Sequence, residues 1–162
     1  RGNVNTRMQK LNDSDWNGAI FAAAGLERIN LKPENFITLD WMTPAPAQGT
    51  MVVVTLENDS FSTEAVGKLN HQETEICTHI ERQFLRTLEG GCTAPIGALA
   101  QINGDQIDFQ GVLHSLDGKQ VLEIKKNCNF VSYKDFGKEC AEAILTNGGK
   151  QLMEAIRRDL KK

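Results

Sequence analysis

The chain has 162 residues, 40% apolar and 24% charged, with a formal net charge of −3 and a pI near 5.6. That length suits one ordinary domain or two small ones with a real core. The composition excludes long disorder and collagen-like repeats. Mild acidity argues against broad binding to phosphate backbones. The longest apolar run, residues 19–26, is far short of the roughly 18 residues a membrane helix needs.

Four cysteines stand at 77, 92, 128 and 140. No Cys-x-x-Cys pair occurs, so neither a zinc ribbon nor a disulfide framework is expected, and no metal site. A reducing cytoplasm is the simplest setting. The chain opens on Arg1 rather than Met, and Arg-Gly-Asn-Val-Asn-Thr-Arg reads like the middle of something. A C-terminal piece of a longer protein is therefore expected.

In chain order, residues 1–5 read as a loop. A short helix from Thr6 would bury Met8 and Leu11 and stop at the polar run 12–15. Residues 18–24, apolar and flanked by turn residues, predict a buried strand, with a turn and helix behind it over 25–29. Strand followed by helix suggests half of an α/β unit. Two prolines and a glycine in residues 43–49 mark an extended hinge. The Val-rich stretch 50–57 predicts a second buried strand.

The clearest helix covers 70–89. Ile76, Ile80, Phe84 and Leu88 form an i, i+4 stripe, with Cys77 and Leu85 beside it. Asn70 with Glu73 fits a capping box, and Gly90-Gly91 a helix stop. Alternation over 96–102 and 107–113 predicts two strands joined by a hairpin at Asn103-Gly104. Asp117-Gly118 marks a second hairpin into a strand over 119–128. Two helices close the chain. The first covers about 133–147 with Phe136, Cys140, Ala143 and Ile144 inward. Gly148-Gly149 separates it from the second, which carries Leu152, Met153 and Ile156. From residue 70 the order α-β-β-β-α-α predicts helices layered on a three-stranded antiparallel sheet.

Cys92 stands on a loop between helix and strand, behind Gly90-Gly91 and before Pro95-Ile96-Gly97. Such a loop exposes the sulfur and lets a flat ligand approach the backbone. A half-buried structural cysteine fits the local sequence as well. Cys77, Cys128 and Cys140 lie on helix or strand faces and read as structural. The scattered histidines His71, His79 and His114 offer Cys92 no obvious base. A preceding helix C-terminus would raise the thiol pKa. As a nucleophile, Cys92 would need an electrophile that is already reactive. Arg1, Arg7 and Arg28 stand at loop and strand ends, where guanidinium groups suit bidentate carboxylate recognition or simply face solvent. Gln48-Gly49 alone reads as a turn.

Together these segments resemble the porphobilinogen deaminase (hydroxymethylbilane synthase) family. The residues concerned are 1–7, Ala24-Gly25-Leu26-Glu27-Arg28, Gln48-Gly49, Asn70-His71-Gln72-Glu73-Thr74, Glu81-Arg82 and Leu88-Glu89-Gly90-Gly91-Cys92. They occur in family order over nearly the whole chain. The Glu-Gly-Gly-Cys loop with Pro95-Ile96-Gly97 is the most specific.

The resemblance implies a transferase of tetrapyrrole (haem) biosynthesis that joins four porphobilinogen units head to tail, releasing ammonia. It implies a dipyrromethane cofactor held by a thioether to Cys92. Loss of ammonia from porphobilinogen gives an azafulvene, a carbon electrophile that a thiol captures without much activation. Arg1, Arg7 and Arg28 are implied to bind the acetate and propionate groups, with Gln48, Gly49 and the backbone at Ala22 beside the cofactor.

Three α/β domains are implied for the whole protein. Residues 1–43 would be the back half of the second. Residues 44–69 would be the hinge and a strand returning to the first. Residues 70–162 would form the third, the cofactor-attachment domain. The catalytic aspartate lies in the missing front of the family pattern, so no catalytic residue is expected in this chain, which alone is expected to be inactive. Expected partners are porphobilinogen, the growing pyrrole chain and that N-terminal part, with no nucleic acid or membrane and a monomeric full-length enzyme. Ala47 departs from the family pattern, which has glycine there, and would stiffen the hinge.

Two rival classes fit parts of the pattern. The α-β-β-β-α order also suits a double-stranded-RNA-binding module, but the last helix would need a basic N-terminus, and 133–142 is mixed or acidic. A noncatalytic domain using Cys92 as a redox sensor is the other. Only 70–162 is expected to fold by itself, because strands at 18–24 and 50–57 lack neighbours to pair with.

Overall fold

The computed structural model describes residues 2–89 and 94–160. It divides into two compact units, residues 1–39 and 40–162.

In the first unit, helix α1 (Val4–Asn12) starts two residues before its expected position. Asn3 caps it, its side-chain oxygen accepting from the Thr6 N–H at 2.9 Å. Helix α2 (Ala23–Arg28) packs Gly25 against Val4 of α1. The strand expected over 18–24 is not formed. Residues 18–22 carry no ladder, and the next residues turn into α2. A strand exists only by pairing, and no described segment supplies the partner. The unit's apolar side chains stay largely outside: Leu26 alone among its described residues is buried, while Ile37 is 87% exposed.

The second unit opens with the 43–49 hinge and continues into residues 51–56, the second expected strand, which is likewise unpaired. Met51, Val52, Val53, Val54 and Leu56 are all exposed. An unexpected helix, α3 (Ser60–Gly67), follows. Asp59 caps it by accepting from the Ser62 N–H at 2.9 Å.

From α4 (Gln72–Thr87) onward the expected order appears. Strands β1 (Ile96–Asn103), β2 (Gln106–His114) and β3 (Val121–Asn129) form an antiparallel sheet in sequence order. Asn103 pairs with Gln106 across a tight turn, where Gly104 adopts φ +62°. His114 pairs with Val121 across the second hairpin, where Gly118 has φ +70°. Alternation places Ile96, Ala98 and Ala100 of β1 and Ile107, Phe109 and Leu113 of β2 on the inner face. Onto them pack Ile76, Ile80, Phe84 and Leu88, the whole of the predicted stripe.

The helix boundaries differ in detail. His71, not Asn70, caps α4, its ring nitrogen accepting from the Thr74 N–H at 3.3 Å. The Asn70 amide instead donates to Glu75. The chain leaves α4 through Leu88, and Glu89 takes the left-handed conformation expected of a glycine. The expected stop at Gly90-Gly91 lies outside the described residues.

The single helix expected over 133–147 is broken into a 3-10 segment (Phe130–Asp135), α5 (Phe136–Ile144) and a wide turn (Leu145–Gly149). Gly148, at φ +99°, then redirects the chain into α6 (Lys150–Asp159). The 3-10 segment is tied to α4, since His79 and Gln83, one turn apart, both donate to the Lys134 carbonyl, at 3.0 and 2.7 Å. Ala141 rather than Ala143 faces inward, beside Phe136, Cys140 and Ile144. Leu152, Met153 and Ile156 of α6 are buried as expected.

Helices α4 and α5 cross at Gly137. A β-carbon there would overlap the Ile80 carbonyl oxygen and stand 2.9 Å from Gln83 Cβ. Gly137→Ala is expected to cost on the order of 1–3 kcal/mol by forcing the helices apart. Urea unfolding checks it, and an unchanged midpoint would show that the crossing has room.

Candidate functional site

The loop containing Cys92 joins α4 to β1. Cys92 and Gly90-Gly91 lie outside the described residues, as does Arg1, but both feet of the loop are well held. On one side Leu88 is fully buried and Glu89 pairs with Arg157 of α6 at 2.7 Å. On the other, the His114 N–H donates to the Pro95 carbonyl at 3.0 Å, at the start of the sheet.

The remaining cysteines are poor nucleophiles. Burial pushes the Cys140 thiol up to about 11. Cys77 is raised first by burial, then by the charges of Glu81 and Glu73. Cys128 is raised by burial and then by Glu139. All three are free thiols.

Arg7, Ala22 and Arg28 fall in the first unit. Arg7 projects from α1, donates through Nη2 to the Ile20 carbonyl at 2.6 Å and lies 4.5 Å over the Phe21 ring. Its guanidinium is thus oriented by backbone and aromatic face, beside Ala22, the N-terminal boundary of α2. Arg28 ends α2 and is exposed. Among the described residues no carboxylate pairs with Arg7 or Arg28. A guanidinium held in place with unclaimed N–H edges is suited to a carboxylate ligand.

Gln48 and Gly49 fall in the second unit, in two overlapping turns. The Gln48 N–H donates to Ala45 O at 3.0 Å and the Thr50 N–H to Ala47 O at 3.3 Å, with Gly49 at φ +82°. Ala47 itself is left-handed at φ +57°, a conformation that strains any residue with a β-carbon. Ala47→Gly is expected to raise stability by on the order of 1 kcal/mol, the strain relieved exceeding the added chain entropy. Thermal unfolding measures it, and a lowered midpoint would count against strain at this position.

Sequence reasoning missed Glu81 as a site residue, noting it only within the Glu81-Arg82 match. It lies on the inward face of α4, one turn beyond Cys77, and is the only buried charged side chain among the described residues. Its carboxylate accepts from the Ala47 N–H at 2.7 Å and the Ala100 N–H at 2.9 Å. Desolvation raises its pKa above the ordinary glutamate value, and the two N–H bonds pull the other way. The signal was present in the sequence: an acid in the row beside the stripe, between Cys77 and Leu85, faces the core and needs buried partners.

Two family models match the chain. One, described as porphobilinogen deaminase, dipyromethane cofactor binding domain, matches residues 1–64. The other, porphobilinogen deaminase, C-terminal domain, matches residues 75–146. The chain belongs to the porphobilinogen deaminase family. Among its relatives, the porphobilinogen deaminase of Campylobacter jejuni (strain RM1221) is 39% identical over 158 residues, covering 95% of this chain and 51% of the relative. That of Alkaliphilus metalliredigens is 34% identical over 161 residues, with 98% and 51% covered. That of Carboxydothermus hydrogenoformans is 35% identical over 161 residues, with 98% and 52% covered. The chain thus spans about half the length of the deaminases it matches. Its three-stranded antiparallel sheet layered with helices is the mixed α/β architecture expected of the C-terminal part of this family. No described helix is long and apolar enough to cross a membrane, and no described cluster of acidic, histidine or cysteine side chains could hold a metal.

Proposed function

We propose that this chain is the C-terminal portion of a hydroxymethylbilane synthase and carries its cofactor-attachment cysteine, Cys92. The observation that carries the reading is the match of both family models in order, over residues 1–64 and then 75–146. In this reading residues 1–43 belong to the second domain, 44–69 return to the first, and 70–162 are the third. The unpaired, exposed segment 51–56 supports a strand that completes a sheet elsewhere in the whole protein.

The described donors fit a pyrrole ligand bearing carboxylates. Arg7 is oriented with unclaimed N–H edges, and Arg28 is exposed without an acidic partner. The thioether would form at Cys92, and Arg1, Arg7 and Arg28 would hold acetate and propionate groups. Gln48, Gly49 and the backbone at Ala22 would line the same ligand. When bound, the dipyrromethane supplies the pyrrole carbon to which porphobilinogen units are joined. Cys92 anchors the chain end, and the arginines balance the negative charge that each added unit brings. The free thiols at 77, 128 and 140 support a reducing, cytoplasmic setting.

The test is to incubate the purified chain with porphobilinogen, alone and with a separately produced N-terminal portion of a related deaminase. Hydroxymethylbilane production only with the added portion is the expected result. Steady production by this chain alone overturns the division of labour. In the assembled protein, Arg7→Leu or Arg28→Leu is expected to slow cofactor assembly or elongation about 10- to 150-fold, the worth of a charge-assisted contact. Unaltered kinetics would make these ordinary surface charges.

A further inference from the structure

The free edge of β1 is occupied by groups that are not strands. Beyond the pairing with β2, the Ala98 N–H donates to the Pro44 carbonyl at 2.9 Å and the Ala100 N–H to Glu81 at 2.9 Å. The Ile102 N–H lies near Cys77 and lowers its thiol pKa against the larger effect of burial. Two side chains four residues apart on a helix rise about 6 Å, close to the advance of two residues along a strand. Cys77 and Glu81 are therefore in step with Ile102 and Ala100. The second oxygen of Glu81 reaches past the edge to the Ala47 N–H of the hinge. The hinge is also pressed onto β1 at Gly97, where a β-carbon would stand 2.9 Å from the Thr43 carbonyl oxygen.

We propose that Glu81 is a positioning residue that latches the 43–48 hinge to α4 and β1, the two elements that flank the Cys92 loop. The hinge then leaves the sheet at a set point, Gln48-Gly49, with a set direction. This deepens the proposed function, since it rests on Cys92 as the attachment point, and it makes the hinge part of the body that carries the cofactor. One carboxylate serves both bonds, so loss of its charge weakens the hinge and sheet contacts together. Residues 43–49 and β1 contain no titratable side chain. On α4 the titratable neighbour that feels Glu81 is Cys77, which stays a thiol. The charge is therefore held by backbone N–H dipoles, and protonation converts one accepting oxygen into a hydroxyl.

The experiment follows backbone amide shifts in the isotope-labelled 162-residue chain through the carboxylate pH range. It needs neither cofactor nor porphobilinogen, so its failure is separable from failure of the functional reading. The amide protons of Ala47 and Ala100 are expected to titrate together, with one midpoint above the ordinary glutamate value. Glu81→Gln should abolish that shared titration and speed exchange of the Ala47 amide on the order of ten- to a hundredfold, because a carboxamide offers only one acceptor to two donors. Exchange at Phe109 and Leu113, deep in β2, should be unchanged. If the variant fails to fold, the joint titration in the unmodified chain still decides. An Ala47 amide that does not follow Ala100, or that exchanges equally fast in the variant, overturns the latch.

Discussion

Replacing Cys92 by alanine in the full-length protein is expected to abolish both the covalent dipyrromethane and turnover. Elimination and sequence position both point to Cys92. Cys140 is buried, with its thiol pushed up to about 11, and Cys77 and Cys128 are both raised above the ordinary value by burial. None of them stands on a loop. Cys92 lies between Glu89, fixed by Arg157, and Pro95, fixed by His114. Intact-mass measurement shows the cofactor directly, and porphobilinogen consumption reports turnover. Alanine at 77, 128 or 140 is expected to leave the adduct in place. An adduct that persists in Cys92→Ala, or that vanishes from a Cys140→Ala protein still folded, would move the attachment point elsewhere.

Phe84→Ala is expected to be the most damaging single truncation in the core of the second unit. Phe84 is fully buried. Its ring meets Phe109 edge-on with centroids 5.2 Å apart, and Phe109 in turn meets Phe136 at 6.0 Å. The three rings join α4, β2 and α5. Gly111 exists to admit them, since a β-carbon there would lie 2.6 Å from Phe84 Cζ. Removing the ring loses its burial and leaves a cavity that a sheet and two helices cannot readily close, a cost of about 3–5 kcal/mol. Against a typical stability of roughly 5–15 kcal/mol, that is a large share. Urea unfolding of the 162-residue chain measures it. A loss below about 1 kcal/mol, the range of well-tolerated hydrophobic swaps, would mean the rings are not the keystone of this core.

What the sequence revealed follows from how local each signal is. The stripe Ile76, Ile80, Phe84, Leu88 and the alternation in 96–102 and 107–113 are set by side-chain direction within one element, and all reappear. Asn103-Gly104 and Asp117-Gly118 work the same way. The strands expected at 18–24 and 50–57 failed because apolar character does not by itself provide a pairing partner. The helix Ser60–Gly67 was legible in Asn58-Asp59-Ser60, a capping pattern left unread. Competition between neighbouring caps decided for His71 over Asn70, whose amide Glu75 had already engaged. Of the site residues, Arg7 gained an orientation from Ile20 and Phe21 that no spacing rule contains. Glu81 acts through Ala47 and Ala100, 34 and 19 residues away. Long-range bonds of a side chain to backbone leave only the trace of a charge on an apolar face.

The occupied edge of β1 also bears on self-association. An exposed sheet edge is a template on which another extended chain can add. Here the Ala98 and Ala100 N–H groups are already taken by Pro44 and Glu81. On the opposite edge, β3 places Lys126 on its inner face between Ile124 and Cys128, with Lys125 and Glu123 on the outer one. A charge pointing inward makes a flat, dry pairing with a further strand costly. Both edges therefore disfavour a fourth strand. The apolar segment 51–56, exposed and chemically adhesive, should add poorly to the sheet of a neighbouring copy, and aggregation of this chain should propagate through that segment pairing with itself.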